Sequence, residues 1–177
     1  MKKQASMNGE PAGGTAPPPS LGLSVQYATE APELPRWRLR RWVQRAVEYA
    51  AREEQALLSE PRFLRVELAL RLVDSTEGQA LNREYRDKDY ATNVLTFEYG
   101  IDADGTASGD IVLCVPVLYR EAAEQGKPLL AHAAHLTTHG ALHALGYDHE
   151  DEDDALAMEA LETRILASLG IPDPYKV

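Results

Sequence analysis

His139-Gly140-Ala141-Leu142-His143-Ala144-Leu145-Gly146-Tyr147-Asp148-His149 is the stretch around which the rest of the chain is organised. On an α-helix the four-residue step from His139 to His143 puts both imidazoles on one face, about 6 Å apart along the axis. Gly146 permits a left-handed backbone, so the helix can stop there and the chain can turn back. His149 follows three residues later and can swing in as a third nitrogen. Three neutral imidazoles meeting at one point, with no fourth side-chain ligand in the stretch, suggest a catalytic zinc whose remaining position holds water.

The offsets match the H-E-x-x-H-x-x-G-x-x-H pattern of metzincin peptidases at every position but one. Gly140 stands where those enzymes carry their general-base Glu. The metal cage is present and the peptidase base is missing. All five histidines lie between 132 and 149. His132 is about 16 Å and His135 about 12 Å from His143 along a helix axis, so neither can share an ion with it. His135 reads as a residue of the surrounding pocket or as a satisfied helix histidine, and His132 as structural. An all-imidazole site also suits Cu²⁺ and Ni²⁺; zinc is preferred for its lack of redox chemistry and its effect on bound water. Asp148 is a candidate base, or the acceptor that fixes the tautomer of a ligand histidine.

A length of 177 residues and a hydrophobic content of 44% fit one soluble domain with a sizeable core. No apolar run reaches the length of a membrane span, and no secretory signal precedes the domain. The single cysteine, Cys114, lies in an apolar run and reads as an inert core thiol in a reducing, cytoplasmic setting. The formal net charge of −10 argues against a polyanionic partner. Its distribution softens that argument. Arginines cluster at Arg36, Arg38, Arg40, Arg41 and Arg45 and again from Arg62 to Arg86, where an RNA contact and a plain solvated face are both open.

Residues 1–20, rich in Gly, Pro, Ala and Ser, read as a disordered extension, and 21–177 as a single catalytic domain. Alternating or continuous apolar patterns predict strands over 21–27, 63–74, 94–97 and 111–115. Helices are predicted over 36–55, from an N-cap at Ser75 to Arg86, and over 116–125, 129–145 and 151–169. Trp37 is placed on the buried stripe of the first helix, and Leu81 and Tyr85 on that of the second. A Gly- and Asp-rich turn is expected from Gly100 to Gly109. The result is an α+β fold with four strands and about five helices.

A second polar tract, Arg86-Asp87-Lys88-Asp89-Tyr90-Ala91-Thr92-Asn93, leaves a helix and enters a strand. Arg86 offers a rigid donor fork suited to phosphate oxygens, and Lys88 and Asn93 add charge and amide donors nearby. Surface arginines are common, so spacing alone does not decide the role of Arg86.

Several tracts in register resemble the bacterial YbeY family: 85–97, Gly109-Asp-Ile-Val-Leu-Cys114, Glu124-Gln-Gly-Lys127, the histidine series 132–149 and Met158-Glu-Ala-Leu-Glu162. The resemblance covers about residues 60–175. It implies a mixed four-stranded sheet with helices and a zincin-like metal site. It also implies a single-strand-specific endoribonuclease that processes ribosomal RNA, notably the 3′ end of 16S rRNA, and acts in ribosome quality control. One zinc ion would be held by His139, His143 and His149, with Arg86 near the substrate; partners would be single-stranded RNA and the ribosome or small-subunit assembly proteins. A metallopeptidase or amidohydrolase with the same cage, and an assembly factor with structural zinc, are the competing readings.

Overall fold

The structure, a computed structural model, describes residues 17–176. Nine elements follow in order: β1 (Ser20–Tyr27), α1 (Arg36–Leu57), β2 (Arg65–Val73), α2 (Ser75–Arg86), β3 (Val94–Ile101), β4 (Thr106–Cys114), α3 (Val115–Glu124), α4 (Leu129–Ala144) and α5 (Glu152–Ser168). The sheet order is β1-β2-β4-β3. β1, β2 and β4 are parallel, and β3 closes one edge as the antiparallel partner of β4. This is the mixed four-stranded sheet with five helices that the sequence predicts.

Strand alternation divides the sheet into two faces. Val66, Leu68, Leu70 and Leu72 of β2 point one way and are buried, in register with Leu21, Leu23, Val25 and Tyr27 on one side and Ala107, Gly109, Ile111 and Leu113 on the other. Helices α1, α4 and α5 complete the core on that face. Val73, Leu95, Val112 and Cys114 form a smaller cluster on the opposite face, with Leu81 of α2 packed against it. Cys114 is buried there, as expected of an inert thiol.

Helix α4 lies close to the sheet because its inward positions are small. A methyl group on Gly140 would sit 2.9 Å from Cγ2 of Ile111, and one on Gly109 would sit 2.9 Å from Cβ of Ala144. The seam formed by Gly140, Ala144 and Gly109 lays the histidine helix along β4 and the edge strand β3.

Several local expectations are corrected. Trp37 is 61% exposed; the inward stripe of α1 is Leu39, Trp42, Val43, Ala46, Val47 and Ala50. Two residues before Leu39, position 37 points about 160° away from it at 3.6 residues per turn. Tyr85 is also exposed and meets Phe97 edge-on rather than entering the core. The cap of α2 is Asp74, whose carboxylate accepts the Glu77 amide at 2.9 Å; Ser75 is already helical. The expected turn over 100–109 shrinks to 102–105. Gly100 is absorbed in a β-bulge, Gly109 serves the helix contact, and the Asp102 carboxylate tightens the hairpin by accepting the amides of Asp104 and Thr106. The proposed disordered extension lies outside the described residues as far as 16, and Ser20 already belongs to β1.

Candidate metal centre and active-site cleft

His139 and His143 project from the last turns of α4. The helix ends at Ala144, and Gly146 has φ 97°, the left-handed backbone that turns the chain back. Arg62 holds this turn: its Nη2 donates to the Leu145 carbonyl at 2.5 Å and pairs with Glu54 at 2.7 Å. Glu54 occupies an inward position of α1, where burial raises its carboxyl pKa and Arg62 opposes the rise. The turned-back loop delivers His149, whose backbone N–H donates to its neighbour Asp148 at 2.6 Å.

The three rings converge. Their centroids are 4.5 Å (His139–His143), 4.8 Å (His143–His149) and 5.7 Å (His139–His149) apart, and one nitrogen of each lies within 4.8 Å of the others. Nε2 of His139 is 3.1 Å from Nε2 of His143. Two imidazole nitrogens bound to one ion at about 2.0–2.1 Å approach each other to a little over 3 Å. The buried carboxylate of Glu162 on α5 lies 2.5 Å from Nδ1 of His139, which places a ring proton on Nδ1 and, in the neutral ring, the lone pair on Nε2. His143 is kept neutral: burial, then the charges of His139 and His149, push its pKa down from 6.5 to about 4. Three ring nitrogens converging in this way fit a metal ion, and this triad could hold one.

Glu162 was not identified from the sequence as a site residue. It is fully buried, and it also meets Nε2 of His135 at 3.0 Å and accepts a hydrogen bond from the Tyr175 hydroxyl. Burial on its own would raise this carboxyl; the hydrogen bonds from His135, His139 and Tyr175 and the charge of His139 overcome it and hold the pKa at about 2. Its position is visible in the sequence as a charge inside the apolar stripe Met158, Leu161, Ile165 and Leu166. His135 therefore stands behind the cage, joined to it through Glu162. His132 is buried farther up α4, with Nε2 3.1 Å from Glu121.

The cage opens into a cleft of about 690 Å³ walled by β3 and the loop after α4. Arg86, Asn93, Phe97, Glu98, Tyr99 and Asp148 line it together with the three histidines. Arg86 donates from Nη2 to the Thr96 carbonyl at 2.8 Å, and its guanidinium lies 5.6 Å from the centre of the Phe97 ring. Asn93 is at the rim, donating to Glu121 at 3.0 Å and accepting the Val94 amide at 2.7 Å. Lys88 stays on the exposed loop after α2 and is not among the cleft-lining residues. Four arginines of α1 are turned to local work. Arg36, Arg38 and Arg40 donate to carbonyls of Val25, Glu33 and Leu21, and Arg45 to that of Ser168.

The chain is 63% identical over 155 residues to a Bordetella pertussis protein named Endoribonuclease YbeY, covering 88% of this chain and 96% of that one. A Thiobacillus denitrificans protein of the same name is 51% identical over 158 residues, covering 89% and 97%. A Thermotoga maritima protein of known solution structure shares the fold at a TM-score of 0.53 and 21% identity, over 89% of this chain and 99% of that one. With a family model described as Endoribonuclease YbeY matching residues 24–170, the chain belongs to the YbeY family.

Proposed function

We propose that this protein is a zinc-dependent, single-strand-specific endoribonuclease that matures ribosomal RNA in the cytoplasm, with the 3′ end of 16S rRNA as its principal target. Membership of the YbeY family makes it a hydrolase of RNA phosphodiester bonds. The observation that carries the metal-dependent part is the meeting of three imidazoles in one cleft with Arg86.

His139, His143 and His149 would hold the ion. When bound, zinc supplies Lewis acidity toward a phosphoryl oxygen and a water acidic enough to react near neutral pH. The remaining roles fall to the chain's own groups. Arg86 uses one N–H to fix itself on β3, and its other donors serve a nonbridging phosphate oxygen, offsetting the charge that builds on phosphorus. Phe97 and Tyr99 are among the cleft-lining residues; the Phe97 ring packs toward Tyr85 on the face of the sheet away from α4, and the Tyr99 hydroxyl is anchored on Asp110 at 2.7 Å. Tyr99 is exposed at the cleft edge, and stacking on such a ring needs a base that is not already stacked in a duplex, which supports a single-stranded substrate. Peptide hydrolysis is disfavoured: a glutamate at position 140 would have to grow into Ile111, Val94 and Thr96.

The test is metal analysis of the purified protein, joined to cleavage of a single-stranded RNA before and after chelation. Stoichiometric zinc, loss of cleavage on chelation and its return with zinc are expected, with a duplex of the same sequence resistant. Equal cleavage by metal-free protein or by a folded His143→Ala variant would overturn the reading. Products ending in 2′,3′-cyclic phosphate would replace attack by water with attack by the ribose hydroxyl.

A further inference from the structure

We infer that Glu162 is the positioning carboxylate of the metal centre and that the C-terminal turn, through Tyr175, is built into the same device. The inference rests on the metal-binding reading above and concerns residues that do not themselves reach the ion.

Three observations carry it. Glu162 is wholly buried, yet both carboxylate oxygens are taken: Oε1 by Nδ1 of His139 at 2.5 Å, and Oε2 by His135 and the Tyr175 hydroxyl. A buried carboxylate is costly unless each oxygen is paired, so its retention in the apolar stripe of α5 needs a reason beyond packing. Its partner on α4 is the first histidine of the cage, and an acceptor on Nδ1 fixes both the ring plane and the tautomer that leaves Nε2 free. The third observation is how Tyr175 arrives. After Gly170 the chain turns back, the Tyr175 amide donates to Asp173 at 2.9 Å, and Lys127, two residues before α4, donates to the Pro174 carbonyl at 3.1 Å. The Tyr175 ring then packs edge-on against His135, 5.3 Å between centroids. Tail, α5 and α4 thus meet on one carboxylate behind the cage.

The experiment measures zinc affinity of the full chain by competition with a chromophoric chelator, and the His139 tautomer of the metal-free protein by long-range ¹H–¹⁵N NMR. Glu162→Gln keeps the shape but removes the charge; a loss of about 10- to 100-fold in zinc affinity is expected, with His139 no longer held as the Nδ1–H form. Glu162→Asp, which restores a carboxylate on a shorter arm, should recover part of the loss. Tyr175→Phe keeps the ring and loses the hydroxyl; about threefold weaker zinc binding is expected. Unchanged affinity and tautomer in folded Glu162→Gln would overturn the inference while leaving the metal site intact. If Glu162→Gln does not fold, Tyr175→Phe decides, and unchanged affinity there overturns it. Failure of the unaltered protein to bind zinc would instead strike the functional reading on which this one rests.

Discussion

Gly140→Ala is the substitution on which the packing of the histidine helix can be judged. In an exposed helix interior, alanine in place of glycine stabilises by about 1 kcal/mol. Here the new methyl would lie 2.9 Å from Ile111 Cγ2, 3.3 Å from Val94 Cγ2 and 3.4 Å from Thr96 Oγ1. Carbon atoms rest about 3.5–4.0 Å apart, so the first contact is short by at least about 0.6 Å. Overpacking of this kind costs about 1–3 kcal/mol, which exceeds the helical gain. We expect a net loss of about 1 kcal/mol, read as a lower urea midpoint at unchanged slope, and a fall of about 3 °C in Tm. The helix must also back away from β3, carrying His139 and His143 away from Arg86, so cleavage should fall more than stability does. Ile111→Leu removes the offending Cγ2 and should relieve Gly140→Ala, giving a coupling of at least about 0.5 kcal/mol in a double-mutant cycle. Gly140→Ala as stable as the parent, or strict additivity with Ile111→Leu, would refute the close approach of α4 to the sheet.

Arg86→Ala should leave folding and zinc uptake within experimental error while lowering kcat by about 10²–10³, as loss of a charge-stabilising donor does; a wild-type rate removes Arg86 from the reaction. Acid should destabilise the metal-free protein in two windows, checked by urea titration at each pH. His143 has a folded pKa near 4 against the usual 6.5, so the unfolded chain binds the extra proton and stability falls as pH drops from about 6.5 to 4. Glu162, held at about 2 against 4.5, adds a second loss from about pH 4.5 downward, and Glu162→Gln should erase that lower window only. Arg62→Ala strands the buried Glu54 and frees the Leu145 carbonyl; a cost of about 2 kcal/mol in thermal unfolding and weaker zinc binding through His149 are expected. Asp148→Asn keeps the acceptor for the His149 amide, so the pH–rate profile should hold its shape; loss of the acid limb would make Asp148 the general base.

What the sequence made legible is whatever one element encodes by itself. The i,i+4 histidines and Gly146 specify a helix, a stop and a returning loop within eleven consecutive residues, and strand alternation orients β2 without reference to its neighbours. Contacts between distant elements were not legible in that way. Glu162 lies 23 positions from His139, and only its intrusion into an apolar stripe hinted that something buried required a charge. Tyr175, 13 positions beyond Glu162, left no pattern, because a tyrosine in a Pro- and Asp-rich tail reads as a loop residue. Trp37 and Tyr85 misled for the opposite reason. Both carry a large apolar ring, yet helical phase puts each on the outside. The glycines of 100–109 look alike in sequence, as one turn, although their uses differ: a bulge, a hairpin and a close approach.

The exchange of glutamate for glycine after the first histidine is therefore a change in packing as much as in chemistry. A peptidase base at this position needs room between the metal helix and the edge strand. In this chain that room is closed by Ile111, Val94 and Thr96. Closing it lays α4 along β3, and β3 in turn carries Phe97 and Tyr99 and anchors Arg86 through the Thr96 carbonyl. The same contact that leaves no space for a carboxylate beside the three histidines thus sets β3, with the Arg86 guanidinium hydrogen-bonded to its Thr96 carbonyl, along the other side of the cleft. A guanidinium suits a phosphate, whereas a peptide carbonyl gains little from it. We expect the preference for RNA over peptide to depend on how tightly this helix sits on this strand, since three converging imidazoles suit both chemistries.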